Sequence, residues 1–143
     1  MKNIDLERAK TELGAGDFTC VLTLGESVHT STFRGVRPLV SWYESDVELR
    51  GYSAADRVVG RATAFLYTLL GVKAVYARVM SRGALEVLQK SGIYAEYGTL
   101  ADNIINRKGD GICPFEAAVL EINEPDAAYE AIRAKMREMN ITV

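Results

Sequence analysis

The chain has one histidine, two cysteines and no surplus of positive charge, and each scarcity removes a class of explanation. His29 is the only imidazole, so no second one exists to serve as partner base for a nucleophile. Cys20 and Cys113 lie far apart, and the start Met1-Lys-Asn-Ile-Asp-Leu-Glu-Arg8 reads as neither a secretory signal nor a transit peptide. The two thiols are therefore expected free, in a cytoplasmic protein. No apolar run approaches the ~18 residues of a membrane span. A formal net charge of -2, with a pI near 5.5, offers no global attraction for nucleic acid or acidic membranes, so any basic site must be local. Aromatic residues are not interleaved with a basic stripe either, which further disfavours nucleic acid. No internal repeat, low-complexity tract or linker is visible. What is present is the 48% apolar and 25% charged content of a globular protein, and 143 residues suit one domain spanning 1–143.

The most apolar stretch runs from Ser53 to Met80, and the rest of the chain is expected to arrange itself around it. Ser53 with Asp56 three residues on has capping-box spacing, and Gly71 supplies a stop, which predicts one helix from 53 to 71. Val58, Val59, Ala62, Phe65, Leu66, Leu69 and Leu70 spread over more than a roughly 100° stripe, so this helix is expected to be covered on most sides. Val72 to Met80 then reads as a strand.

Ahead of it, Asn3 is expected to cap a helix carrying Leu6, Ala9 and Leu13, ended by Gly14-Ala-Gly16. Alternation from Phe18 to Leu24, Gly25-Glu26 as a type II′ turn, and a more polar Ser27 to Phe33 predict a hairpin with an edge strand. Pro38 opens a helix with Leu39, Val40, Tyr43 and Val47, closed by Arg50-Gly51. After Met80, Ser81 caps a helix to Gly92, and Ile93 to Gly98 is a short strand parallel to the Val72 strand through a right-handed crossover. Thr99 with Asp102 predicts a brief helix through Ile105, followed by a polar loop from Asn106 to Gly111. Cys113-Pro-Phe-Glu116 starts a helix to about Leu120, and Pro125 the last, with Ala128, Ile132, Met136 and Met139 inward. The sum is a three-layer α/β/α domain with a mixed sheet, an antiparallel hairpin plus parallel strands.

Gly109-Asp-Gly-Ile-Cys-Pro-Phe-Glu116 is the sharpest local signal. Proline at the first helical position and glutamate at the third place Cys113 at the N-cap, where the dipole and free amides favour a thiolate. A small cap residue with Glu116 as its capping-box partner explains the same pattern without chemistry. Asp56 and Arg57 could meet a ligand from the start of the central helix, although Asp56 reads equally as a cap. Arg57 and Arg61, four apart, would share a helix face. Ser81-Arg82 lies where a parallel strand ends and a helix begins, a place that suits phosphate or carboxylate and equally a plain cap. Asn103, Asn106, Arg107 and Asp110 form a polar loop, either solvated or ligand-binding. His29 reads as solvent-facing or hydrogen-bonded in the polar strand of the hairpin.

These elements and motifs resemble the domain-of-unknown-function family 1893, an uncharacterised bacterial and archaeal group with a cytidine-deaminase-like fold. The resemblance rests on Gly35-Val-Arg-Pro-Leu39, Asp56-Arg-Val-Val-Gly-Arg61, Val75-Tyr-Ala77 with Ser81, Ser91-Gly-Ile93, Asn106-Arg107 and Gly109 to Glu116. It spans most of the chain, and the last motif is the most specific. A zinc deaminase requires His-x-Glu at the start of the central helix and Pro-Cys-x-x-Cys at the next. Here those places read Ser53-Ala-Ala-Asp56 and Met80-Ser-Arg-Gly-Ala84, so no zinc site is expected, and no other cofactor is implied. The resemblance thus implies a scaffold, with Asp56 and the Cys113 to Glu116 motif framing a shared cleft, and carries no deaminase activity across.

The expected function is binding of a small anionic or nucleotide-like molecule near Asp56, Ser81, Arg82 and the 106–116 segment. Two alternatives stand beside it. One is an enzyme using Cys113 as nucleophile or redox thiol with Glu116 or Asp56 in acid–base work. The other is a non-catalytic interaction module whose hairpin or Met136–Val143 tail meets a second copy in a homo-oligomer.

Overall fold

The structure, a computed structural model, describes residues 3–143. Its elements in chain order are α1 (Ile4–Ala15), β1 (Cys20–Leu24), β2 (Ser27–Ser31), α2 (Arg37–Glu44), β3 (Ser53–Val59), α3 (Arg61–Leu70), β4 (Ala74–Ser81), α4 (Arg82–Lys90), β5 (Tyr94–Ala101), α5 (Pro114–Ala118) and α6 (Pro125–Glu138). The five strands form one open sheet in the order β2-β1-β3-β4-β5. β1 runs antiparallel to β2 and to β3, whereas β3, β4 and β5 are mutually parallel.

One face of the sheet is covered by α1, whose Ala9 and Leu13 pack on Val21 of β1 and Ala55 of β3. The other face carries the larger core, centred on α3, which meets α2, α4 and α6. Phe65, Leu66 and Tyr67 of α3 are buried, and each such side chain removed from water contributes about 1.5–3 kcal/mol. This is the three-layer α/β/α arrangement expected from the pattern.

The opening of the chain follows its local signals. The Asn3 side chain accepts from the Leu6 amide, and the hairpin turns at Gly25 with φ 57°. Ser81 accepts from the Ala84 amide at 3.0 Å, and Gly71 ends α3 in the left-handed region. The central stretch differs. Residues 53–59 are not the first half of a helix but the middle strand of the sheet, and α3 begins only at Arg61, with Gly60 as its N-cap. Asp56 therefore caps nothing, and Arg57 and Arg61 share no helix face. A strand paired on both sides and buried on both faces has no polar alternation to betray it.

Other element ends differ as well, in β5 and residues 104–113 because strand pairing overrides local cues. α2 stops at Glu44, well before Val47 and Arg50. β5 runs on to Ala101, because pairing with β4 continues through Ser81, so Thr99 sits in a strand and Asp102 follows it. Residues 104–113 instead make a small hairpin, with Ile105 bridged to Ile112 and the Cys113 amide bonded to the Ile104 carbonyl at 2.9 Å. α5 ends at Ala118, short of Leu120, and Met139 lies just past α6, exposed rather than inward.

Candidate functional site

The sheet leaves a notch at the carboxyl end of its parallel strands. β1 begins at Cys20, directly opposite Asp56, and the Thr19 carbonyl takes the Arg57 amide at 3.1 Å. Beyond that point Val58 and Val59 pair only with β4. The turn before α2, the 104–113 hairpin and the start of α5 close around the notch, leaving a cleft of about 350 Å³. That volume lies within the ~300–1,000 Å³ common for small-molecule sites.

Asp56 and Cys20 line the cleft and are both buried. The Tyr67 hydroxyl donates to Asp56 Oδ2 at 2.7 Å, and the Val58 amide reaches Oδ1 at a longer 3.3 Å. Burial pushes the Asp56 carboxyl up to about 6, against the opposing pull of the Tyr67 hydroxyl, the Val58 and Arg57 amides and the Arg57 charge. Burial likewise drives the Cys20 thiol well above its ordinary range, and the negative charge of Asp56 adds to it. The Tyr67 phenol is pushed up for the same two reasons. Asp56, Tyr67 and Cys20 thus form a buried titratable cluster, of which Asp56 and Cys20 line the cleft.

Three arginines line the same cleft: Arg34, Arg57 and Arg107. Arg57 Nε is buried and has no hydrogen-bond partner among the described residues. An unsatisfied buried donor costs about 1–3 kcal/mol, more when charged. Phe33, Val36, Ile104 and Phe115 supply apolar wall.

Glu116 also lines the cleft, but its carboxylate is already engaged. Oε1 accepts from the Arg61 amide at 2.8 Å and Oε2 from the Ala62 amide at 2.9 Å. It caps α3, the helix whose N-cap Gly60 has no side chain, rather than its own α5. The Arg61 side chain returns the contact, with Nε donating to the Val119 carbonyl at 3.2 Å and Nη2 to Asn123 Oδ1 at 3.0 Å. Cys113 does stand at the N-cap of α5, half-buried at the cleft, but its side chain makes no capping hydrogen bond and α5 has only five residues.

Asp56, Arg57, Arg107, Cys113 and Glu116 are therefore gathered around one cleft, whereas Ser81, Arg82, Asn106 and Asp110 are not among its lining residues. Ser81 is buried under its own capping bond. Arg82 pairs with Asp102 at 2.8 Å in the open, and Asn106 bonds Asp110 and the Gly109 amide within its turn. His29 packs edge-on against Trp42 and Tyr52, with ring centroids 6.1 and 5.7 Å away, and is not among the cleft residues. Sequence reasoning missed Arg34, Cys20 and Tyr67. Arg34 adjoins the Gly35 to Leu39 motif and was within reach, while Tyr67 and Cys20 carry no signal until β1 and α3 are placed beside Asp56.

Among the described residues no three of His, Cys, Asp and Glu gather to hold a metal ion. Gly60-Arg-Ala62 at the start of α3 offers no metal-ligating side chain, since a guanidinium stays protonated. The donor set does not fit zinc. Among the described residues no helix is long and apolar enough to cross a membrane.

A family model described as Domain of unknown function (DUF1893) matches residues 8–136. The chain is also similar to the crystal structure of a DUF1893 family protein from Thermotoga maritima, at 25% identity and a TM-score of 0.82, covering 96% of this chain and 92% of that one. No curated protein matches.

Proposed function

The chain belongs to the DUF1893 family, and from that premise we propose that its cleft binds a small anionic molecule, of phosphate, carboxylate or nucleotide character, on a deaminase-like frame without zinc. The observation that carries this reading is the buried, unpartnered Nε of Arg57 in a cleft it shares with Arg34 and Arg107. A planar guanidinium with a donor free matches an oxyanion in geometry and charge. Opposing charge is tempered, because the Glu116 carboxylate is turned to the α3 amides and burial raises the Asp56 carboxyl to about 6, so that it is neutral on the acid side of that value. The sheet order supports the frame, since the notch lies outside the carboxyl ends of parallel strands, the usual ligand position in open α/β sheets.

Thermal-shift screening of phosphates, nucleotides and amino acids tests it, with Arg57→Gln run alongside to subtract the general stabilising action of salts. Stabilisation of the wild type that the variant lacks is expected. A shift equal in both proteins, or absent from both, counts against the reading.

A second reading, an enzyme using Cys113 with Asp56 in acid–base work, has in its favour that both residues line the cleft. Against it stand the five-residue α5, the remote His29 and the engaged carboxylate of Glu116. We rank it below binding.

A further inference from the structure

We infer that Asp56 sets when the cleft takes its anion: buried on the cleft beside Arg57, under the Tyr67 hydroxyl and opposite Cys20, it makes anion uptake bring a proton in. This rests on the anion-binding reading above and adds to it a coupling that the reading alone does not require.

The geometry makes the coupling direct. Asp56 lines the cleft that holds the arginines, at 8% exposure, so little water lies between its carboxylate and an incoming anion. Two like charges in such a site repel strongly, and the less costly state is one in which Asp56 is neutral. β4 places the uncharged Ala77 beside Asp56. β1 contributes Cys20, a buried thiol held neutral, and α3 contributes Tyr67, a neutral phenol. From α5 comes Glu116, fixed on the α3 amides, with the half-buried Cys113 preceding it. The turn before α2 and the 104–113 hairpin bring Arg34 and Arg107, and β3 itself brings Arg57. The three cations are those the anion would engage, leaving none dedicated to Asp56. A bound anion then lifts the carboxyl further above its free position near 6, and the site fills by taking up anion and proton together.

The test is isothermal titration of the full chain with inorganic sulfate, which stays dianionic across the range, at matched ionic strength. Running it at about pH 6 in two buffers of different ionisation enthalpy counts the protons exchanged directly. Uptake of up to about half a proton per sulfate is expected near the carboxyl's own midpoint. Affinity should rise roughly tenfold from about pH 8 to about pH 5. Asp56→Asn should bind without proton exchange and hold the same affinity at both ends, whereas His29→Gln should behave as wild type. Sulfate binding with no proton uptake by the wild type, or uptake that survives in Asp56→Asn, overturns the coupling and leaves anion binding standing. Absence of sulfate binding at every pH ends both. If Asp56→Asn does not fold, the wild-type proton count with a carboxyl NMR titration of Asp56, free and sulfate-bound, decides the matter: an upward shift on binding supports the inference and an unmoved one overturns it.

Discussion

A Cβ placed on Gly60 would sit 2.5 Å from the carboxyl carbon of Glu116. The absence of a side chain at one position is what admits the carboxylate of the other, 55 residues from the first amide it caps. The two residues act as one joint between β3, α3 and α5.

Removing either half should loosen that joint. Glu116→Ala leaves two amides of α3 without their acceptor and is expected to destabilise the fold by about 1–3 kcal/mol, with Glu116→Gln losing less. Gly60→Ala should destabilise comparably by displacing the carboxylate. In the Glu116→Ala background the same change should be much milder, because nothing remains to collide with. Urea denaturation of the four proteins checks the cycle, and strict additivity would contradict the contact.

Asp56 predicts a pH dependence whose sign follows from burial. Its folded carboxyl is raised from the usual 3.8 to about 6, so between those values the native state holds more protons than the unfolded one. Stability attributable to this group is fully present below the lower value and is lost as pH rises through about 6. Two units and a fraction correspond to roughly 3 kcal/mol near neutrality. Asp56→Asn should therefore be the more stable protein at neutral pH, by somewhat less than that, with the advantage gone by about pH 4. Thermal melts across pH check it; a variant less stable than wild type at neutral pH would refute it.

Tyr67→Phe removes the short donor to Asp56 and should cost about 1–3 kcal/mol near neutrality, where the carboxylate is ionised. At acid pH the penalty should shrink, because a neutral carboxyl needs the donor less. A pH-independent loss would mean that the hydroxyl serves packing alone.

The two thiols should differ sharply under alkylation. Cys20 is 2% exposed and its thiol is held well above the usual range, so it should resist iodoacetamide in the native protein, while the half-buried Cys113 reacts first. Peptide mass spectrometry should find one modified cysteine in buffer and two in denaturant. Equal labelling in buffer would contradict the burial of Cys20.

The layers, the hairpin, the βαβ crossover and most helix starts were legible because their signals are local: a cap, a proline, a glycine turn, a period of two. β3 was not. Ser53-Ala-Ala-Asp56 imitates a capping box, and Ala, Val and Gly60 carry no alternation, since a strand in the middle of a covered sheet buries both faces. The clue on offer was Val58-Val59-Gly60, a β-branched pair and a breaker, at a length that suits a strand. The cleft was legible through Asp56, Arg57, Arg107, Cys113 and Glu116, but the partners that give Asp56 its character come from α3 and β1. Glu116 misled for a related reason: its spacing fits a local box, yet the orphan amides it satisfies belong to a helix more than fifty residues earlier. Nothing in the chain's local order announces such a pairing.

That long-range cap also bears on how the protein is made. A nascent chain exposes the first turn of α3 well before residue 116 leaves the ribosome, so for that interval the helix has open amides and the notch has no far wall. The cleft is thus closed only after residue 116 has emerged and folded back onto a helix made more than fifty residues earlier.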